Sequence, residues 1–249
     1  MAHQIDYSIV GDDMQAVVVS LDPGEAVSAE AGAMMYKDSN IQMNTGTGGG
    51  VFKGLKRMIT GESFFITTFI NNGNKVQEVA FSAPYPGKII PIDLSDGDML
   101  CQKDSYLCSA YGINIDVAFT RKLGSGFFGG EGFILQRLSG DGFAFVHSGG
   151  MIVKKELKPG DELHVDTGCL VAFSTGIDYD IKFVGGLKTA FFGGEGLFFA
   201  KLSGKGIVYL QTLPFSRMAD KIASAARSLG GKEETSFGGG LLGKLLNGN

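Results

Sequence analysis

The hexapeptide FFGGEG occurs twice, at residues 127–132 and 191–196, and each copy opens a similar run: GEGFILQRLSGDGFAFV from Gly130 and GEGLFFAKLSGKGIVYL from Gly194. A motif that recurs with its flanks intact means a duplicated structural unit, which limits the fold before any single residue does. Residues 60–65, TGESFF, read as a degenerate first copy. Each motif follows a turn that ends in an acid: Asp22-Pro23-Gly24-Glu25, Leu94-Ser95-Asp96-Gly97-Asp98 and Lys158-Pro159-Gly160-Asp161. From Glu25 to Glu62, Asp98 to Glu131 and Asp161 to Glu195 the chain runs 37, 33 and 34 residues. That constancy predicts three units in the same internal order.

After each turn comes a short half-apolar segment, at residues 33–36, 106–108 and 169–173, and then an alternating one. Asn114-Ile115-Asp116-Val117 and Asp178-Tyr179-Asp180-Ile181-Lys182-Phe183 show the alternation best. Such a period places one side chain on the core and the next in water, which is a half-buried strand. Downstream of each motif, Asn71-Asn72-Gly73-Asn74, Ser139-Gly140-Asp141-Gly142 and Ser203-Gly204-Lys205-Gly206 read as hairpin turns. The chain holds 39 glycines against 6 prolines, as many short strands joined by tight turns require.

The expected fold is therefore all-β, one domain over residues 1–213 in three repeats of about 7–81, 82–147 and 148–213. A propeller needs more blades and solenoid repeats are shorter. A closed pseudo-threefold β-barrel or prism, similar to a double-stranded β-helix, also removes exposed strand edges. Residues 214–230 read as an amphipathic C-terminal helix with Phe215, Met218 and Ile222 on one stripe, opened by Pro214 and closed by glycines. Residues 231–249 read as a flexible Gly-rich tail.

Apolar residues make up 44% of the chain and charged residues 19%, which supports a packed core over disorder. The net charge of −4 disfavours a general nucleic-acid binder. Cys101, Cys108 and Cys169 form neither a CxxC pair nor an even set, the pattern of free thiols in a reducing compartment. The N-terminal segment carries no secretory or mitochondrial signal pattern, and a cytoplasmic location is expected.

Candidate chemistry is sparse. His164-Val165-Asp166 offers one imidazole and one carboxylate, with His147 17 residues earlier, so His164 and Asp166 are the metal-ligand candidates. No metal or other cofactor is expected. The recurring Glu62, Glu131 and Glu195 suit a structural role, each fixing the turn of its own repeat. The glycines at 46 and 48–50 precede Lys53 without the Gly-Lys-Ser/Thr of a phosphate loop, and no Gly-x-Ser-x-Gly elbow occurs. Phe52, Lys53, Lys56 and Arg57 form a basic, apolar-faced segment and are the interaction candidates, for a membrane surface or a partner.

GGGVFKGLKRMITGESFF at residues 48–65, the two FFGGEG runs and LPFSRMADKI at residues 213–222 resemble the family related to the yeast "altered inheritance of mitochondria" protein twenty-four. The resemblance covers nearly the whole chain. It implies a fold similar to the tryptophan RNA-binding attenuation protein with three internal repeats. The mitochondrial member is linked to inner-membrane organisation. Prokaryotic members have no assigned activity, so the resemblance supplies no catalytic residues. The expected function is a non-enzymatic, homo-oligomeric scaffold or interaction protein with an unknown protein partner, associated with a membrane surface. The alternative is a small-molecule or metal-binding barrel, and the third reading is an RNA-binding module.

Overall fold

A computed structural model describes residues 1–46, 66–121, 133–183 and 198–230 of the chain. Both FFGGEG copies, residues 60–65 and the interaction candidates Phe52, Lys53, Lys56 and Arg57 lie outside the described residues. The chain divides into two units, Met1–Pro214 and Phe215–Asn249.

The described residues of the first unit are β, apart from short 3-10 turns. Its first seven strands are β1 (Asp6–Val10), β2 (Ala16–Leu21), β3 (Ala26–Glu30), β4 (Met34–Lys37), β5 (Ile41–Gly46), β6 (Ile66–Asn71) and β7 (Gln77–Ser82). Six more follow: β8 (Gly87–Asp93), β9 (Met99–Gln102), β10 (Tyr106–Ala110), β11 (Asn114–Arg121), β12 (Phe133–Ser139) and β13 (Phe143–Gly149). The last six are β14 (Ile152–Leu157), β15 (Glu162–Asp166), β16 (Leu170–Ser174), β17 (Ile177–Phe183), β18 (Phe198–Gly204) and β19 (Gly206–Gln211).

These strands form four sheets with antiparallel ladders. Their orders are β1-β2-β7-β4, β5-β6-β3-β10-β13-β8, β11-β12-β9-β16-β19-β14 and β15-β18-β17. The third sheet follows the order of the second with every strand index raised by six. The β-bulges recur with it. The register slips at Met35 where β4 meets β7, at Leu107 where β10 meets β13, and at Val171 where β16 meets β19. A bulge adds one unpaired residue and a local twist, so three bulges in corresponding strands point to a common local geometry.

The expected single closed barrel is not what these strands build. Among the described residues, β4 and β15 are each hydrogen-bonded on one side only, so the sheets stay open there. Three apolar clusters instead join the sheets in succession. Val19, Leu21 and Phe81 of the first sheet pack with Phe69, Cys108 and Phe145 of the second. Ile90 and Val146 of the second pack with Cys101, Ile115 and Leu138 of the third. Leu135, Phe173 and Val208 of the third pack with Ala200, Leu202 and Ile181 of the fourth. Burying a Leu or Phe of this kind contributes about 2–3 kcal/mol, so each cluster is worth more than any surface contact.

Two of the three turn acids close their own turns, while the Asp98 carboxylate pairs with Arg137 of β12. The Glu25 carboxylate accepts the Asp22 N–H at 2.8 Å, and the Asp161 carboxylate accepts the Lys158 N–H at 2.8 Å. Both turns pass through a left-handed glycine, Gly24 at φ 87° and Gly160 at φ 92°, a conformation other residues adopt only with strain.

The second unit contains α1 (Phe215–Gly230), the helix expected from the alanine-rich pattern. Phe215 and Ile222 of its apolar stripe are exposed. No helix among the described residues is long and apolar enough to cross a membrane.

Candidate functional site

Two strand edges and one polar cluster stand out from the packed sheets. The first edge is β4. Its inner side pairs with β7 through Met34↔Phe81, Tyr36↔Ala80 and Lys37↔Val79. At its end Asp38 donates its N–H to the Glu78 carbonyl at 2.9 Å, and the Asp38 carboxylate accepts the Glu78 N–H at 2.9 Å. Because alternate residues of a strand point their backbone groups to opposite sides, Tyr36 and Asp38 face β7 and Lys37 faces the open side. Met34, Met35 and Tyr36 are 38%, 55% and 40% exposed. The corresponding strands differ sharply: every residue of β10 is buried, as are the first four of β16. An apolar strand edge with unpaired N–H and C=O groups is a template for another strand.

The second edge is β15. It pairs with β18 through Glu162↔Ser203 to Asp166↔Phe199, and its outer side carries no strand among the described residues. The Glu162 carboxylate binds the Lys201 ammonium and lies 2.8 Å from His164 Nε2. Lys201 first and His164 second hold the Glu162 carboxyl below its ordinary range. Asp166 accepts the Gly168 N–H at 2.8 Å and so caps the 3-10 turn at Thr167–Cys169. The two metal-ligand candidates thus sit two residues apart on one strand, each engaged in a local contact. Among the described residues no cluster of three His, Cys, Asp or Glu side chains assembles around them.

The polar cluster lies where β3, β10 and β13 meet and was not foreseen from the sequence. Burial pushes the Glu30 carboxyl up to about 7, with Asp104 adding to the rise and Lys103 opposing it. The outer side of Glu30 stays open to water, which screens part of that penalty. Burial, then Asp104 and Glu30, raises the Tyr85 hydroxyl to about 12. Asp104 is held by Gln102, whose Oε1 accepts the Asp104 N–H at 3.1 Å. Behind them His147 is buried, and burial lowers its pKa to about 4. Its Nδ1 has no hydrogen-bond partner among the described residues. The Tyr106 hydroxyl donates to the Ser28 carbonyl at 3.1 Å and sits 3.0 Å from Ser109 Oγ. Of these groups Glu30 alone is brought near neutral pH, at the sheet junction.

None of the three cysteines is in a disulfide, and Cys101 and Cys108 are buried. Burial raises both thiols well above their ordinary range, which leaves them protonated and unreactive. The signals available for the missed features were slight. Met34-Met35-Tyr36-Lys37 ends in a lysine where its counterparts do not, a charge of the kind found on strand edges. Glu30 lies beside the turn at Gly32 with nothing local to mark its raised pKa.

The fold and its edges define a multi-sheet β protein whose strand connectivity recurs along the chain. Residues 7–213 match the family described as mitochondrial biogenesis AIM24, and the chain belongs to that family. It is 28% identical over 211 residues to an uncharacterised protein of Streptococcus pyogenes serotype M6, covering 82% of this chain and 83% of that protein. A crystal structure of a Streptococcus pyogenes protein matches with a TM-score of 0.74 at 24% identity, over 89% of this chain and 100% of that one. That likeness shows a common fold.

Proposed function

We propose that this protein is a non-enzymatic interaction scaffold whose working surface is the open edge of β4, acting in the cytoplasm through addition of a polypeptide strand to that edge. One observation carries the reading: β4 is apolar, exposed and, among the described residues, unpaired on its outer side, whereas the corresponding strands β10 and β16 are buried and paired. Strand addition supplies backbone hydrogen bonds for affinity and alternate side chains for specificity. The free, buried thiols agree with a reducing compartment.

The same reading treats the recurrence of connectivity every six strands as three units about a pseudo-threefold axis, with boundaries near residues 81 and 147. The basic segment at residues 52–57 is the proposed contact with a membrane surface. Flotation with liposomes of anionic lipid, comparing the full chain with a Lys53/Lys56/Arg57→Glu variant, tests that contact. Equal, negligible flotation of both removes it.

A photo-crosslinking amino acid placed at Tyr36 of the full chain in cells tests the central reading, with the same group at the exposed Lys182 as a control. A polypeptide crosslinked from position 36 and none from position 182 is the expected result. No crosslink to any polypeptide from position 36 would remove β4 as the working surface.

A further inference from the structure

We infer that the outer edge of β14 is a docking site for an extended, acidic segment of another protein, which adds to it antiparallel. This goes beyond the β4 reading and does not rest on it: it assigns a second edge and the chemistry of the segment that fits.

The same edge occurs in each repeat. The bulges set Phe81, Val146 and Leu210 in corresponding positions. Across the ladder these residues face Val17 of β2, Ile90 of β8 and Val153 of β14, so the three strands align residue by residue. Val18, Pro91 and Lys154 are the next corresponding set. The outer side of β2 is covered by β1, in the register Asp6↔Ser20, Ser8↔Val18 and Val10↔Ala16. The outer side of β8 is closed differently. Gln15 Oε1 accepts the Ile89 N–H at 2.8 Å, Met14 bridges Gly87, and Pro91 offers no donor. Among the described residues β14 has no counterpart of β1 or of Gln15, and Lys154 stands where β8 has its proline. Because Ile89 turns its N–H outward, the same alternation turns the N–H and C=O groups of Ile152, Lys154 and Glu156 outward in β14.

The side chains at this edge define what fits it. Val19 and Ile92 are buried, whereas Lys155 at the corresponding position is exposed, as are Lys154 and Glu156. The Lys154 ammonium lies 5.9 Å from the centroid of the Tyr209 ring. Lysines on an edge oppose an apolar or basic strand and admit one that brings carboxylates. Carrying the β1 register onto β14 sets the guest positions. The first guest residue lies opposite Glu156, the second and third opposite Lys155 and Lys154, and the last two opposite Val153 and Ile152. A cation, two carboxylates and two β-branched residues, in that order, complement those side chains. Backbone bonds to Ile152, Lys154 and Glu156 supply affinity, and the charges supply specificity. The chain's own β1 does not have this pattern, since Tyr7 and Ser8 would stand opposite the two lysines. The segment therefore belongs to another protein, not to a second copy.

The test titrates a fluorescein-labelled synthetic peptide, GKEEVIG, against the full chain and reads anisotropy. A peptide with the charges exchanged, GEKKVIG, is the control. Saturable binding of the first and none of the second is expected, weakening as salt is raised. Lys154→Pro removes the central outward N–H and should weaken binding about tenfold or more. Pro91 at the corresponding place in β8 shows that the fold admits a proline there. Should that variant fail to fold by circular dichroism, a Lys154→Glu/Lys155→Glu variant replaces it and should exchange the preference for the two peptides. Hydrogen exchange at the Ile152, Lys154 and Glu156 amides should slow when the first peptide is bound.

No saturable binding at millimolar peptide, equal binding of both peptides by the wild type, or an unchanged affinity in Lys154→Pro would overturn the inference. Slowed exchange at Lys37 instead of β14 would place the peptide on the other edge, removing β14 as its site while leaving the β4 reading intact.

Discussion

The ring of Tyr85 stands edge-on to that of His147, with centroids 4.6 Å apart and planes at 79°. The contact covers an imidazole that is buried and keeps one nitrogen unpaired among the described residues. Covering a titratable ring in this way disfavours its charged form and destabilises the fold once the ring must charge.

The pH dependence of His147 follows from that geometry. Its folded pKa is about 4 against an ordinary 6.5, so its neutral form is the one the fold accepts. Stability from this group is fully present above pH 6.5 and is lost as pH falls through 4. The loss is about 3 kcal/mol across that window. Denaturant unfolding at a series of pH values should show the fall, and His147→Phe, which keeps the ring contact, should remove it. An unchanged acid limb in the variant would assign the loss to other groups.

Glu30 carries the opposite sign. Its folded pKa of about 7 lies above the ordinary 4.5, so the fold prefers the protonated acid. Its stability contribution is complete below pH 4.5 and is lost as pH rises through 7. Glu30→Gln keeps the shape without the charge. It should be more stable than the wild type at pH 8 and equal to it near pH 4.5, measured by thermal unfolding at both values.

Asn71 closes the turn after β6 with three bonds. Its Nδ2 donates to the Leu21 carbonyl at 2.8 Å and the Lys75 carbonyl at 2.9 Å, and its Oδ1 accepts the Gly73 N–H at 2.8 Å. The side chain is fully buried, so its loss strands backbone groups away from water. Asn71→Ala should cost about 2–3 kcal/mol in denaturant unfolding. Asn71→Asp should also destabilise, because the aspartate cannot donate to either carbonyl.

Gly87 and Gly24 separate two reasons for glycine. A Cβ at Gly87 would stand 1.9 Å from the Ser148 carbonyl oxygen, inside the β8–β13 ladder, where backbone must shift to admit it. Gly87→Ala should cost about 3 kcal/mol or more. At Gly24 no atom lies within 4 Å, and only the left-handed φ of 87° opposes a side chain. Gly24→Ala should cost about 1 kcal/mol. Comparing the two unfolding midpoints checks the order.

Local pattern carried far in this chain. The turns at Glu25 and Asp161, the hairpin turn at Asn71 to Asn74 and the helix at Phe215–Gly230 are all readable from a few neighbouring residues, because each makes defining contacts close in sequence. The alternation in Asn114-Ile115-Asp116-Val117 gave strand β11, with Ile115 buried as the period requires. Val117 departs from it and is 36% exposed, since the register with β12 slips just after it. A bulge belongs to a pair of strands, so one strand's periodicity does not announce it.

The sequence by itself determined that the chain is built from short strands in a recurring order, because turn chemistry and two-residue periodicity act over a few residues. Only the tertiary structure decided which strands are interior. Met34-Met35-Tyr36-Lys37, Tyr106-Leu107-Cys108-Ser109 and Leu170-Val171-Ala172-Phe173 occupy corresponding strands with the same bulge. The last two are buried because β3 and β9 reach them, whereas no strand reaches the first among the described residues. Whether a neighbour arrives depends on chain more than 60 residues away in the two closed seams, as between Cys108 and Ala29 or Ala172 and Cys101. The burial of His147 and the surroundings of the partly open Glu30 carboxyl are likewise set by side chains distant in sequence, so their shifted protonation had no local mark.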